Sequence, residues 1–175
     1  MGVLGWGLTA AGLLAGLASV ATIVGCFLPR GHVAARTLTL KQPPDAVWAT
    51  LRAGEDWPGW WDILKAVERQ PDQDGRPVWR FHYKDGNKFR IVVEEAAAPS
   101  SLVLRIDDEA KLFGGSWSYA IAPADDGSTV TLTEDGFISN PLVCCMAKLC
   151  MDPHMYIDMN LNALAGKFGE TPVLR

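Results

Sequence analysis

Between Pro77 and Thr133 apolar and polar side chains change places at nearly every step, and this alternation limits the possible folds more than any other feature of the chain. Trp79, Phe81 and Tyr83 share one parity, against Val78, Arg80 and His82. Phe89, Ile91 and Val93 stand against Arg90 and Glu94, and Leu102, Leu104 and Ile106 against Val103 and Arg105. Trp117, Tyr119 and Ile121 oppose Ser116 and Ser118, while Val130 and Leu132 oppose Thr129, Thr131 and Thr133. Successive side chains of a strand point to opposite faces, so each segment predicts a strand with one face buried and one wet.

The segments are separated by PDQDG, KDGN, APSS and ADDG, several of which carry the Asp-Gly chemistry of tight hairpins. After Ile106 a loop ending in Gly114-Gly115 is expected. The strands therefore predict an antiparallel meander, preceded by the alternating stretch HVAARTLTLKQ. Two helical patterns flank it. PDAVWATLR opens with Pro44, which suits a first helical turn. Asn140 and Pro141 then form a cap and first turn for a helix reaching about Phe168, with Ile157, Leu161, Leu164 and Phe168 in one stripe. Asp152-Pro153 must interrupt or kink it, because proline removes a backbone donor and clashes with the preceding turn.

The N-terminal 29 residues are of another kind. All 16 Lys and Arg and all 20 Asp and Glu lie from Arg30 onward. As a helix, Val3 to Leu28 would extend about 39 Å, enough to cross a hydrocarbon core of roughly 30 Å with some tilt. A cleaved signal peptide would carry a basic start and a shorter apolar run, and neither is present. IVGC before Phe27 resembles the box preceding a lipidated cysteine, Cys26, in bacterial lipoproteins. The favoured expectation is a retained single-pass anchor, residues 1–29, touching the membrane through residues 3–28, with residues 30–175 as one folded domain. Arg30, Arg36 and Lys41 flank only its C-terminal end, which by the positive-inside rule places the domain on the cytoplasmic side. Gly12 and Gly16 have the small-xxx-small spacing through which two such helices could pair weakly.

The net charge of −4 is interspersed rather than blocked, so nucleic acid is not an expected partner. The four cysteines lack CxxC spacing and no histidine stands at ligand distance from them in sequence; reduced thiols are expected, with no metal and no cofactor.

A strand, short helices, a six-strand meander and a long closing helix make an α+β helix-grip arrangement, a curved antiparallel sheet wrapped around a C-terminal helix. LKQPPDAVWATLR followed by WPGWW resembles the opening of the polyketide cyclase/START-like superfamily (SRPBCC). FGGSWSYAIAP, TVTLTEDGFISNP and ALAGKFGE are similar to its later strands and closing helix. The resemblance spans roughly residues 32–170. It implies a deep apolar cavity between sheet and helix, in a superfamily that includes lipid carriers, hormone binders, cyclases and dehydratases. One fold hosting many chemistries does not choose among them.

Catalytic patterns are scarce: GxSxG, a phosphate loop and HExxH are all missing. His154 and Asp158 are four apart, so on one helix they would touch and could exchange a proton. Glu134 continues the inward parity of Val130 and Leu132, where Tyr83 or Tyr119 could hydrogen-bond it. These three are the candidate catalytic residues. The ligand-contact candidates begin with Trp57, Trp60 and Trp61, gathered around Pro58-Gly59. Those with inward strand parity are Trp79, Phe81, Tyr83, Trp117 and Tyr119. Met155 and Met159, in a four-residue stripe with Met151, would add an adaptable wall. The resulting expectation is a membrane-anchored protein that binds or transfers an apolar small molecule or lipid. Its rivals are a cyclase/dehydratase-like enzyme using the same cavity and an interaction module whose cavity its own side chains fill.

Overall fold

In the computed structural model, which describes residues 3–107 and 113–175, seven strands form one antiparallel sheet. The strands are β1 (Gly31–Leu40), β2 (Leu64–Gln73), β3 (Arg76–Tyr83), β4 (Lys88–Ala97), β5 (Ser101–Asp107), β6 (Phe113–Ala124) and β7 (Gly127–Ile138). Their order is β1-β7-β6-β5-β4-β3-β2, so the meander from β2 to β7 closes against β1. The helices are α1 (Val3–Phe27), α2 (Pro44–Arg52), α3 (Pro141–Cys150) and α4 (Met155–Lys167), with a 3₁₀ turn at Gly54–Gly59. The helix-grip arrangement expected from the alternation is the one observed.

Local chemistry sets the boundaries. Asn140 accepts from the Val143 amide at 3.1 Å, and Pro141 occupies the first position of α3. The Asp152-Pro153 break is complete: Met151 is extended, and the Asp152 carboxylate accepts from the His154 amide at 2.8 Å. The C-terminal segment is thus two helices, not one kinked helix. Gly169, with φ of +69°, lets the Glu170 amide turn back to the Ala165 carbonyl at 3.0 Å and stops α4. Glu170 then accepts from the Lys41 amide at 2.9 Å and from Gln42 at 3.0 Å, tying that end of α4 to the end of β1. The last residues pair with β1 through reciprocal 2.9 Å bonds between Thr37 and Arg175, which covers an edge otherwise free to pair with another chain.

Two strand boundaries differ from expectation. β2 runs through Pro71 to Gln73, and the hairpin shrinks to Asp74-Gly75, both with positive φ. Proline is tolerated there because β2 is the other edge of the sheet. Gly114 and Gly115 are paired residues of β6 rather than loop; the rest of that expected loop lies outside the described residues. Val78, read as outward-facing, is buried against its direct cross-strand partner Val92, which is buried as well.

The core lies between the concave face and α4. Ile157, Leu161, Leu164 and Ala165 of α4 meet Leu38, Leu104, Tyr119 and Leu132 of the sheet in one contiguous cluster. A register shift between Val93 and Glu95 breaks the β4–β5 ladder; such bulges increase local twist and help a sheet curl around a helix.

Candidate functional site

The tryptophans around Pro58-Gly59 have three different environments. Trp57 is fully buried, and its indole N–H donates to the Leu51 carbonyl at 3.0 Å. It packs against Trp60, Trp61, Phe81 and Tyr119 with ring centroids 5.1–6.3 Å apart. Trp61 is also buried, between Trp117 at 5.5 Å and Tyr83 at 6.3 Å, yet its indole N–H has no partner among the described residues. Trp60 is half-exposed, and its N–H is likewise unpaired. Trp79 lies apart from them, against Gly54 and under the Arg52 guanidinium at 5.8 Å. These rings occupy the space where the resemblance implies a deep cavity.

The polar groups gather toward one end of this aromatic core. Cross-strand register places Glu134 directly opposite Trp117 on one side and Ala34 on the other. Its carboxylate accepts from the Trp117 indole at 3.0 Å and meets His32 Nε2 at 3.0 Å. The expected tyrosine partner is therefore replaced by a tryptophan and a histidine. Tyr119, fully buried, instead donates to Asn160 Oδ1 at 3.0 Å, leaving Asn160 Nδ2 unpaired among the described residues. The side chains of His32 and Glu134 remain 26% and 16% exposed, so the pair lies toward the surface and not on the floor of the core.

His32 was not among the sequence candidates. Its signal was present: β1 buries Ala34, Leu38 and Leu40, and His32 shares their parity. Gly136 faces it across the ladder and leaves room for the ring.

Next to this pair the apolar wall continues from Tyr83 to Phe89 at 5.2 Å and from Phe89 to Phe113 at 4.7 Å. Burial, followed by the electrostatic effects of Tyr156, Asp85 and Glu134, pushes the Tyr83 phenol well above the ordinary tyrosine range. Burial also raises the Tyr119 phenol, reinforced by Tyr83 and Glu134 and opposed by its bond to Asn160. Both are neutral hydroxyls at ordinary pH.

The structure does not bring His154 and Asp158 together. His154 precedes the first turn of α4, and its ring lies 3.4 Å from Asp152; Asp158 faces Arg36 of β1 at 3.3 Å. The backbone keeps i,i+4 register, the His154 carbonyl accepting from the Asp158 amide at 2.8 Å, but the imidazole turns back to Asp152 while the Asp158 carboxylate turns to Arg36. Met155 and Met159 flank the buried stripe of α4 and are part-exposed, while Met151 lies outside the helix. A cleft of about 280 Å³ beside the β2–β3 edge is lined by Lys65, Glu68, His82 and Lys88 and also by Tyr83.

Residues 32–148 match the family model described as polyketide cyclase/dehydrase and lipid transport. No curated protein matches. Among solved structures, the Zhui aromatase/cyclase from Streptomyces sp. R1128 superposes with a TM-score of 0.66 at 17% identity, covering 78% of this chain and 93% of that one. A START superfamily protein from Mycobacterium smegmatis gives 0.62 at 16%, covering 78% and 96%. The di-domain ARO/CYC StfQ of the steffimycin biosynthetic pathway gives 0.61 at 12%, covering 77% of this chain and 49% of its own length. The present chain thus spans about half of that di-domain protein. At these identities the likeness is one of fold.

Proposed function

The chain belongs to the polyketide cyclase/dehydrase and lipid transport family, and from that premise we propose that it binds an uncharged, largely apolar small molecule at the partly open end of its grip. The observation that carries this reading is Glu134, a carboxylate held by His32 and Trp117 at the edge of an otherwise aromatic core. The apolar body of the ligand lies against Tyr83, Phe89 and Phe113. Its polar end meets Glu134, His32 and the unpaired Trp61 N–H. A buried donor without a partner costs about 1–3 kcal/mol, a cost that a ligand carbonyl or hydroxyl oxygen would remove. A carboxylate ligand would face the Glu134 charge, so the preferred class is neutral. Helix α1 holds the domain at a membrane from which such a molecule partitions, with the domain on the cytoplasmic side.

The test is a pair of fluorescence titrations of the full-length protein in detergent, with an acylnaphthalene probe and with the corresponding naphthalene carboxylate. The neutral probe should bind at least about tenfold more tightly, a difference of 1.4 kcal/mol. Glu134→Gln should reduce that preference. Equal affinities in the parent, or none for either probe, would leave the packed rings as the core of an interaction module.

A second reading rests on the 3.0 Å contact between His32 and Glu134, a pairing suited to moving a proton at the ligand's polar end. A bound molecule whose mass changes during incubation with the parent, but not with Glu134→Gln, would favour a cyclase/dehydratase-like enzyme over a carrier.

A further inference from the structure

We propose that α3 is a second membrane-contacting element, with its Val143–Met146–Leu149 face set into the headgroup–acyl boundary of the leaflet at which α1 ends. The inference rests on α1 being a membrane anchor. It adds that the folded domain itself is partly immersed.

The face is built for an apolar environment. Val143, Met146 and Leu149 follow one another at three-residue steps and are 51%, 50% and 76% exposed. The opposite side of the helix is packed, with Cys144 and Cys145 buried. The only charge on α3 is Lys148, and its ammonium donates to the Gly31 carbonyl at 3.2 Å, toward the start of β1. An apolar face carrying no charge of its own is what interfacial helices present to lipid.

What fixes the height of this face is the contact with α1. The stretch Ala10–Phe27 is long and apolar enough to cross a membrane, and it is nearly free of protein contact. The buried exception is Gly25, where a Cβ would stand only 1.9 Å from the Pro141 carbonyl oxygen. The two helix backbones touch there. The Cys144 thiol adds a 3.7 Å contact to the Pro29 carbonyl. Helix α3 is thereby held at the level of the last turns of α1, beside the exposed Val24 and Phe27.

A bilayer is favoured over a protein partner because the α3 face is continuous with the lipid-facing end of α1. Exposed apolar side chains continue on both sides of the Asp152-Pro153 break, with Met151 before it and Met155 and Tyr156 after it. Tyr156 is close enough to Tyr83 to influence its phenol.

The experiment places single nitroxide labels on the full-length protein in phosphatidylcholine–phosphatidylglycerol vesicles. The background is Cys26→Ser with Cys150→Ser, and the labelled positions are Val20, Met146, Leu149 and Asp126. Collision with dissolved oxygen is compared with collision with a water-soluble nickel chelate. The labels at Val20, Met146 and Leu149 should favour oxygen severalfold more than that at Asp126, with Val20 deepest. If Met146 and Leu149 match Asp126 while Val20 lies in lipid, the α3 inference is overturned and the anchor stands. If Val20 is exposed to the chelate, both fall. If Met146 and Leu149 are shielded from both reagents and their spectra show dipolar broadening, a second copy covers the face and the lipid assignment is overturned.

Discussion

A Cβ on Gly136 would stand 2.6 Å from Cε1 of His32, so the imidazole lies where any other residue of β7 would place a side chain. The contact joins the two strands that carry the candidate acid–base pair, and it gives a way to disturb that pair without touching either member. In Gly136→Ala the methyl meets the tip of a mobile ring rather than fixed backbone. The ring should swing aside, with loss of the 3.0 Å contact to Glu134 and little loss of thermal stability. Nitrogen NMR of the His32 imidazole reads this directly. An unchanged His32 signal in a folded variant contradicts the packing described.

Trp57 and Trp61 should respond oppositely to substitution. Trp57 is enclosed and its N–H is satisfied by Leu51, so Trp57→Ala should cost about 3–5 kcal/mol and lower the melting midpoint of free and ligand-bound protein alike. Trp61→Phe keeps a ring between Trp117 and Tyr83 while deleting an unpaired donor. Its midpoint should change little, while affinity for a carbonyl-bearing probe falls about tenfold. Paired melting curves with and without the acylnaphthalene probe separate the two. A Trp61→Phe protein that melts early but binds the probe as the parent does would assign Trp61 to packing alone.

Alkaline pH should unfold the protein through its buried phenols. Tyr83 and Tyr119 have raised pKa values in the fold, whereas the unfolded chain releases the same protons near the ordinary value of 10.0. Their contribution to stability is therefore complete below that pH and is lost as pH climbs beyond it. Tyrosinate absorbance from these two residues should appear together with loss of near-ultraviolet circular dichroism. Tyr83→Phe should soften the alkaline decline without changing behaviour near neutrality. Tyrosinate absorbance that rises fully before any unfolding would show both phenols to be open to solvent.

The parts of this architecture legible in the sequence are those governed by short-range periodicity. Alternation in β3 to β7 fixed which residues face α4, and it correctly turned Glu134 inward; Asn140, Pro141 and Gly169 marked helix ends. Partnerships depending on how distant strands align were not legible. His32 reaches Glu134 across 102 residues of sequence because β1 lies next to β7. The register of the β6–β7 hairpin, which sets Trp117 directly opposite Glu134, explains why Trp117, rather than a tyrosine, holds the other carboxylate oxygen. The expected His154–Asp158 pair failed because each side chain has another partner, Asp152 for the imidazole and Arg36 of β1 for the Asp158 carboxylate, although the backbone holds the two in i,i+4 register. Composition also did not reveal that α1 and α3 would touch at Gly25, because a glycine in an apolar helix carries no sign of its neighbour.

A neutral apolar molecule held against Glu134, His32 and Trp61, as proposed, should survive gentle extraction of the protein. Native mass spectrometry of the full-length protein, released from membranes in mild detergent, tests this most directly. One small apolar molecule should appear as an adduct on the parent chain, displaced by excess acylnaphthalene probe and depleted in Trp61→Phe and in Glu134→Gln. A bare parent chain to which the added probe also fails to bind would contradict it.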